Sequence, residues 1–229
     1  MAVTVGETAA DLIADDLGFG LPMTSLFLSG FLALALIVQM SRTRYVPWIY
    51  WLTVVLVSVV GTLITDNLVD SLQYSLTTTT TLFALGLLVV FAGWFAIEKT
   101  LSIHTIFTLR REAFYWLAIL FTFALGTSAG DQLAEGMGLG YLYSGLAYGA
   151  VIAVTSAIYF TGKLNGIFTF WAIYILTRPM GASFGDFLSQ DPENGGIGLG
   201  TEMTSLLFFA IIAGLIVYMT RTHRGEETA

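Results

Sequence analysis

Four aspartates recur at one spacing in this chain, and the chemistry they could support is that of a cation or proton site. The segments YWLTVVLVSVVGTLITD (50–66), YWLAILFTFALGTSAGD (115–131) and FWAIYILTRPMGASFGD (170–186) share one pattern: aromatic, Trp, nine residues, Gly, four residues, Asp. VGETAAD, at the start of the chain, places Gly6 and Asp11 at the same spacing. With Gly6, Gly61, Gly126 and Gly181 as zero, position +1 holds Glu7, Thr62, Thr127 and Ala182. Position +5 holds Asp11, Asp66, Asp131 and Asp186, and position +9 holds Asp15, Asp70, Glu135 and Gln190. Steps of four set these groups on one helix face, a turn apart. Carboxylates and hydroxyls without Cys or His suit hard cations such as Mg, Ca, Mn or Na. Clustered carboxylates can also share protons. The expected ion-binding set is Asp11, Asp66, Asp131, Asp186, Glu7, Thr62, Thr127, Asp70 and Glu135. If the ion is a bound divalent cation, Asp66, Asp131 and Asp186 are the expected metal ligands; no other cofactor is expected.

Arg178 lies at position −3, on the same stripe as Asp186, where the other copies hold Val3, Ser58 and Phe123. It is the one basic residue away from the edges of the apolar runs, and its expected role is counter-charge to the aspartates. Pro179 removes a backbone donor beside it and should kink that helix.

These groups need helices to position them, and the composition says where those helices sit. Of 229 residues, 56% are hydrophobic and 11% charged, against about 25% charged in soluble domains. Apolar runs near 22–41, 47–69, 77–97, 113–132, 143–162, 165–187 and 201–220 are long enough to span a bilayer, which takes roughly 20 residues. Backbone groups in lipid must be satisfied within the segment, so the runs are helices, and they are too continuous for a β-barrel. The expected fold is all-α: a polytopic membrane bundle of four parallel two-helix hairpin repeats, with seven full spans and a truncated first helix. It forms one domain over 1–229, with repeats at approximately 1–44, 45–110, 111–164 and 165–224. MTSLFLSGFLALALIVQMSRTR (23–44) resembles MTSLLFFAIIAGLIVYMTRTHR (203–224), so the second helices repeat as well. From Trp51 to Asp66 a helix rises about 22 Å, which sets the aspartates toward the outer end of the membrane.

The ordered motifs TVGETAAD, REAFYW…ALGTSAGD and FWAIYILTRPMGASFGD resemble a family of bacterial multi-span proteins. That family is catalogued as a repeat of unknown function and often labelled "membrane-anchored protein". The resemblance covers essentially the whole chain and implies the four-repeat fold; it brings no chemistry with it.

Arg42, Arg44, Lys99, Arg110, Arg111, Lys163, Arg221 and Arg224 all follow the second helix of a hairpin. By the positive-inside rule those loops and the C-terminus face the cytoplasm of an inner membrane. The opposite face carries Asp15, Asp16, Asp70, Glu135, Asp191, Glu193 and Glu202 and no basic residue, a rim that would concentrate cations. The glycines at zero read as close-packing positions, and Trp51, Trp116 and Trp171 as interfacial anchors. The threonine run at 77–81 should cap a helix or line a vestibule. GMGLGY and GGIGLG lack the lysine of a phosphate loop.

With His104 and His223 as the only histidines and no cysteine, neither a catalytic triad nor a zinc site can be built, and no enzyme is expected. Lysines lie only at span edges, which excludes a retinal Schiff base. Net charge is −7, and nucleic acid is not an expected partner. The lipid bilayer and a small cation are, with assembly into a homo-oligomer left open. Two functions remain: a secondary transporter or channel for a small cation (hard divalent metal, Na or H), or a non-transporting scaffold or sensor regulating a partner protein.

Overall fold

The computed structural model describes residues 20–42 and 44–226. Among them are seven long helices: α1 (Leu21–Met40), α2 (Pro47–Asp66), α3 (Leu76–Glu98), α4 (Leu109–Asp131), α5 (Tyr141–Phe160), α6 (Gly166–Ser189) and α7 (Thr201–Glu226). No strand occurs among the described residues. The molecule is an all-α bundle, and its helices match the seven apolar runs. Gly6, Glu7, Asp11, Asp15 and Asp16 lie outside the described residues.

Local chemistry sets the helix starts. Pro47 occupies the first turn of α2, where its missing N–H costs nothing. Ser75 Oγ accepts from Thr78 N at 3.2 Å, Thr108 Oγ1 from Arg111 N at 3.4 Å, and Asn165 Oδ1 from Ile167 N at 2.8 Å. Gly20, Gly140 and Gly200 enter α1, α5 and α7 at φ of 74°, 78° and 78°, a region open to glycine. The Gly-rich stretches are therefore helix-entry turns.

Among the described residues, six helices are long and apolar enough to cross a membrane. The seventh, α6, is 24 residues long and carries Arg178, Pro179 and Asp186, which lower its hydropathy. Side chains as large as Phe27, Val89 and Leu206 stand at least 65% exposed along the outer helices. Such a surface belongs against lipid, because a soluble monomer rarely shows so much of it. The chain is a membrane protein in contact with the bilayer.

Two layers result. In α2 and α4, 61% of the apolar window is buried, against 17–22% in α1, α3, α5 and α7. The inner helices α2, α4 and α6 open repeats two, three and four; α4 packs on both α2 and α6. Helices α3 and α5 do not pack chiefly on the helix that precedes them. Instead α3 packs on α4 and α5 on α6, as α1 packs on α2, so the second helix of each of the first three repeats clasps the first helix of the next. The repeat is a hairpin in connectivity and a hand-over in packing. The last helix, α7, touches α2 and α6.

The inner helices cross by one rule. A Cβ on Gly61 would stand 2.7 Å from Phe123 Cβ, and one on Gly126 would collide with Arg178 Cβ. Position 0 of one repeat therefore meets position −3 of the next, twice over. Glycine permits this approach, as expected for the zero positions. Thr65 Oγ1 adds a bond to the Ala124 carbonyl at 3.0 Å across the first crossing.

The tryptophans behave differently from expectation. Trp116 and Trp171 are 4% and 5% exposed and belong to the core, with Trp171 Nε1 donating to the Leu101 carbonyl at 2.9 Å. Trp51 is half-buried. Their position on the inner helices turns them toward neighbouring helices; Trp48, half exposed at the start of α2, has the surface position an anchor needs.

Candidate functional site: a carboxylate cavity at one end of the bundle

The ends of α2, α4 and α6 bring Asp66, Asp131 and Asp186 to one level, and together they line a cavity of about 260 Å³ with Asp70, Glu135 and Gln190. Asp186 is 7% exposed, Asp66 and Asp131 are half-buried, and Asp70 and Glu135 are exposed. Charge is thus graded from a buried floor to an open rim. Below the aspartates, the Thr62 and Thr127 hydroxyls share a hydrogen bond of 3.1 Å, both side chains buried. They join α2 to α4.

Local structure changes between +5 and +9. After Asp66 and after Asp131 the α-helix opens into a π-helical turn, Asn67–Ser71 and Gln132–Gly136. Asp70 and Glu135 sit in these turns, so the α-helical steps of four stop at +5. Such wide turns frequently mark functional positions. The Tyr141 hydroxyl donates to Glu135 Oε1 at 2.7 Å and steadies one rim carboxylate from α5. In the fourth repeat the helix ends at Ser189 without a π turn, and Gln190 replaces the acid.

Of the expected ion-binding set, Glu7 and Asp11 lie outside the described residues. Among the described residues, no three His, Asp or Glu side chains come together closely enough to hold a metal ion. One aspartate comes from each of three helices, and the three line a common cavity.

Arg178 is packed among aromatic side chains. It is 4% exposed, with Nη2 donating to the Tyr174 hydroxyl and Cζ 3.4 Å above the centre of the Phe123 ring and 4.3 Å from that of Tyr174. Nε has no hydrogen-bond partner. The guanidinium is held by aromatic faces at the α4–α6 crossing, where cation–π attraction contributes about 2 kcal/mol or more when desolvated. Helix α6 runs unbroken through Pro179 beside it.

Sequence reasoning passed over Tyr50, Tyr115, Tyr174 and Tyr141. Tyr50 and Tyr115 pair their hydroxyls at 2.6 Å between α2 and α4. The signal was present: both stand at position −11, a multiple of four below Ser58 and Phe123, and so on the carboxylate stripe. Tyr174, at −7, lies on it too. At the rim of the cavity, Thr77 donates to Gln132 Oε1 at 3.1 Å and Thr80 to the Ser128 carbonyl at 3.0 Å, so the threonine run ties α3 to α4.

A polytopic helical membrane protein made of four sequence repeats, with a shared acidic cavity at one end, is the class this architecture defines. The family model described as Repeat of Unknown Function (DUF347) matches residues 1–45, 49–100, 114–163 and 169–225, and the chain belongs to that family. Neither a curated protein nor a solved structure matches it.

Proposed function

We propose that this protein is a secondary transporter for a small cation, seated in the inner membrane with its C-terminus in the cytoplasm. One observation carries the reading: five carboxylates from three inner helices line a single cavity, and one of them, Asp186, is buried. Taking a carboxylate out of water is costly, and a cation or proton arriving there offsets that cost. The orientation follows from the basic loops.

The cargo best suited to this space is a proton or a cation that keeps part of its water shell. A directly ligated divalent metal is less well supported, since no three carboxylates among the described residues come close enough to hold one. Below the cavity the crossings at Gly61–Phe123 and Gly126–Arg178 leave no room even for a methyl group. An immobile cation sits in that layer. Passage would therefore require the inner helices to rearrange, as in alternating access, and an open channel fits poorly.

The same closed layer favours a second reading, a non-transporting scaffold or sensor in which the cavity only senses ions. Flux in proteoliposomes separates the two. The intact chain and Asp131→Asn are loaded and tested with Mn, Mg, Ca, Na and H. Transport predicts uptake of one of these ions that disappears in the variant. Absence of flux for every ion, with both proteins equally stable, ends the transport reading.

A further inference from the structure

At the opposite end of the bundle, where α1 finishes and α2 and α4 begin, a second cavity of about 460 Å³ opens among side chains of mixed chemistry. Its size falls in the range of about 300–1,000 Å³ usual for small-molecule sites. Tyr45, Tyr50 and Trp116 give it aromatic walls, with ring centroids 5.4 Å apart for Tyr45–Tyr50 and 5.6 Å for Tyr50–Trp116. Glu112 and Gln39 supply acceptors, and Arg42 and Arg44 supply positive charge.

The amide of Gln39 decides what the acceptors want. Its Nε2 donates to Glu112 Oε1 at 3.3 Å, which orients the group and leaves Oε1 as an acceptor. That oxygen is buried and has no partner, and the residue is 8% exposed. Trp116 Nε1 also donates to Glu112 Oε1, at 3.2 Å, fixing the carboxylate against the aromatic wall. A carboxylate, an unpaired amide oxygen and aromatic faces together recognise an N–H-bearing cation. The two arginines would repel a simple cation, and Glu112 would repel a simple anion.

We infer that this cavity binds an amphoteric amine, a small molecule bearing an ammonium group and an anionic group. The ammonium lies between Glu112, Gln39 Oε1 and the tyrosine and tryptophan faces, and the anionic group meets Arg42 and Arg44. Such chemistry reaches this end of the bundle from a soluble zwitterion or from an aminophospholipid headgroup. The inference is independent of transport through the carboxylate cavity.

Isothermal titration of the full chain in detergent, with phosphoethanolamine as probe, tests it. Saturable binding is expected, at least tenfold tighter than that of ethanolamine or inorganic phosphate alone. Glu112→Gln and Gln39→Leu should each weaken it at least tenfold, while Asp131→Asn, at the other end, leaves it unchanged. Gln39→Leu removes the hydrogen bond from Nε2 to Glu112 along with the unpartnered acceptor, so a somewhat lower melting temperature is expected, and titrating well below it keeps its binding result apart from folding. Inorganic phosphate binding as tightly as the probe overturns the inference. So does probe binding indifferent to both variants, or no saturable binding at all. Repeating the titration in nanodiscs of phosphatidylethanolamine and of phosphatidylcholine distinguishes the sources. Loss of soluble binding in the first alone identifies the headgroup as occupant; equal binding in both identifies a soluble ligand.

Discussion

Inner and outer helices of this bundle obey different rules. The inner set, α2, α4 and α6, keeps its repeat pattern residue by residue, down to a glycine that meets position −3 of the next helix. The outer set keeps its apolar character and, in α1 and α7, a shared MTSL start that buries Thr24 and Thr204. Gly30 in α1 and Gly214 in α7 have nothing within 4 Å of where a Cβ would stand. Identity among the repeats is concentrated where helices touch and where carboxylates share a cavity; lipid asks only for hydrocarbon.

That contrast should be widest in flux. If the buried floor is the working part of the cavity, Asp186→Asn lowers cation flux at least tenfold. Asp70→Asn, on the exposed rim, should lower it no more than about threefold, given the weakness of exposed charges in water. Equal losses from both would place the working site at the rim. In stability, Gly126→Ala forces α4 from Arg178 and should cost about 1–3 kcal/mol. Gly30→Ala is expected to be neutral or to add up to about 1 kcal/mol, the helix propensity difference. Chemical denaturation in detergent compares them, and similar values would mean that the inner crossing is loose.

Smaller differences sharpen the same picture. Tyr141→Phe frees Glu135 at the rim and should cost about 0.5–1.5 kcal/mol, seen as a lower melting temperature. Thr65→Ala breaks a bond between α2 and α4 and should cost about 1 kcal/mol. Thr155→Ala removes a bond to the Val151 carbonyl within exposed α5, and a change within about 0.5 kcal/mol is expected. A large effect at Thr155 would reveal a partner on the outer surface.

Much of this was legible in the residues. Seven helices follow from apolar runs, and the gathering of Asp66, Asp131 and Asp186 follows from a four-residue step repeated in parallel copies. The packing partner of each outer helix was not legible. Identical units carry no mark of whether the second helix folds back on its own first helix or reaches to the next. Burial of Trp116 and Trp171 was hidden for the same reason, because it depends on which neighbour arrives. Arg178 looked like a counter-ion from its place on the stripe, yet the stripe also carries Tyr174, and the neighbouring helix presents Phe123. The π turns were invisible because sequence spacing alone assumes an unbroken α-helix. The Gln39–Glu112 cavity joins α1 to α4 across 73 positions, a distance no local pattern spans.

The hand-over packing has a consequence for how the protein is made. When α3 leaves the ribosome its docking surface has not yet been synthesised, since that surface is α4. Extending the chain from Glu98 to Asp131 takes roughly 2–7 s at ordinary synthesis rates. During that interval α3 waits in the lipid as a solitary span, and α5 later waits for α6 in the same way. Neither the α2–α3 nor the α4–α5 hairpin closes chiefly upon itself, so a lone copy of either unit would be an unfinished object, and the smallest duplication able to mature is one that supplies its successor.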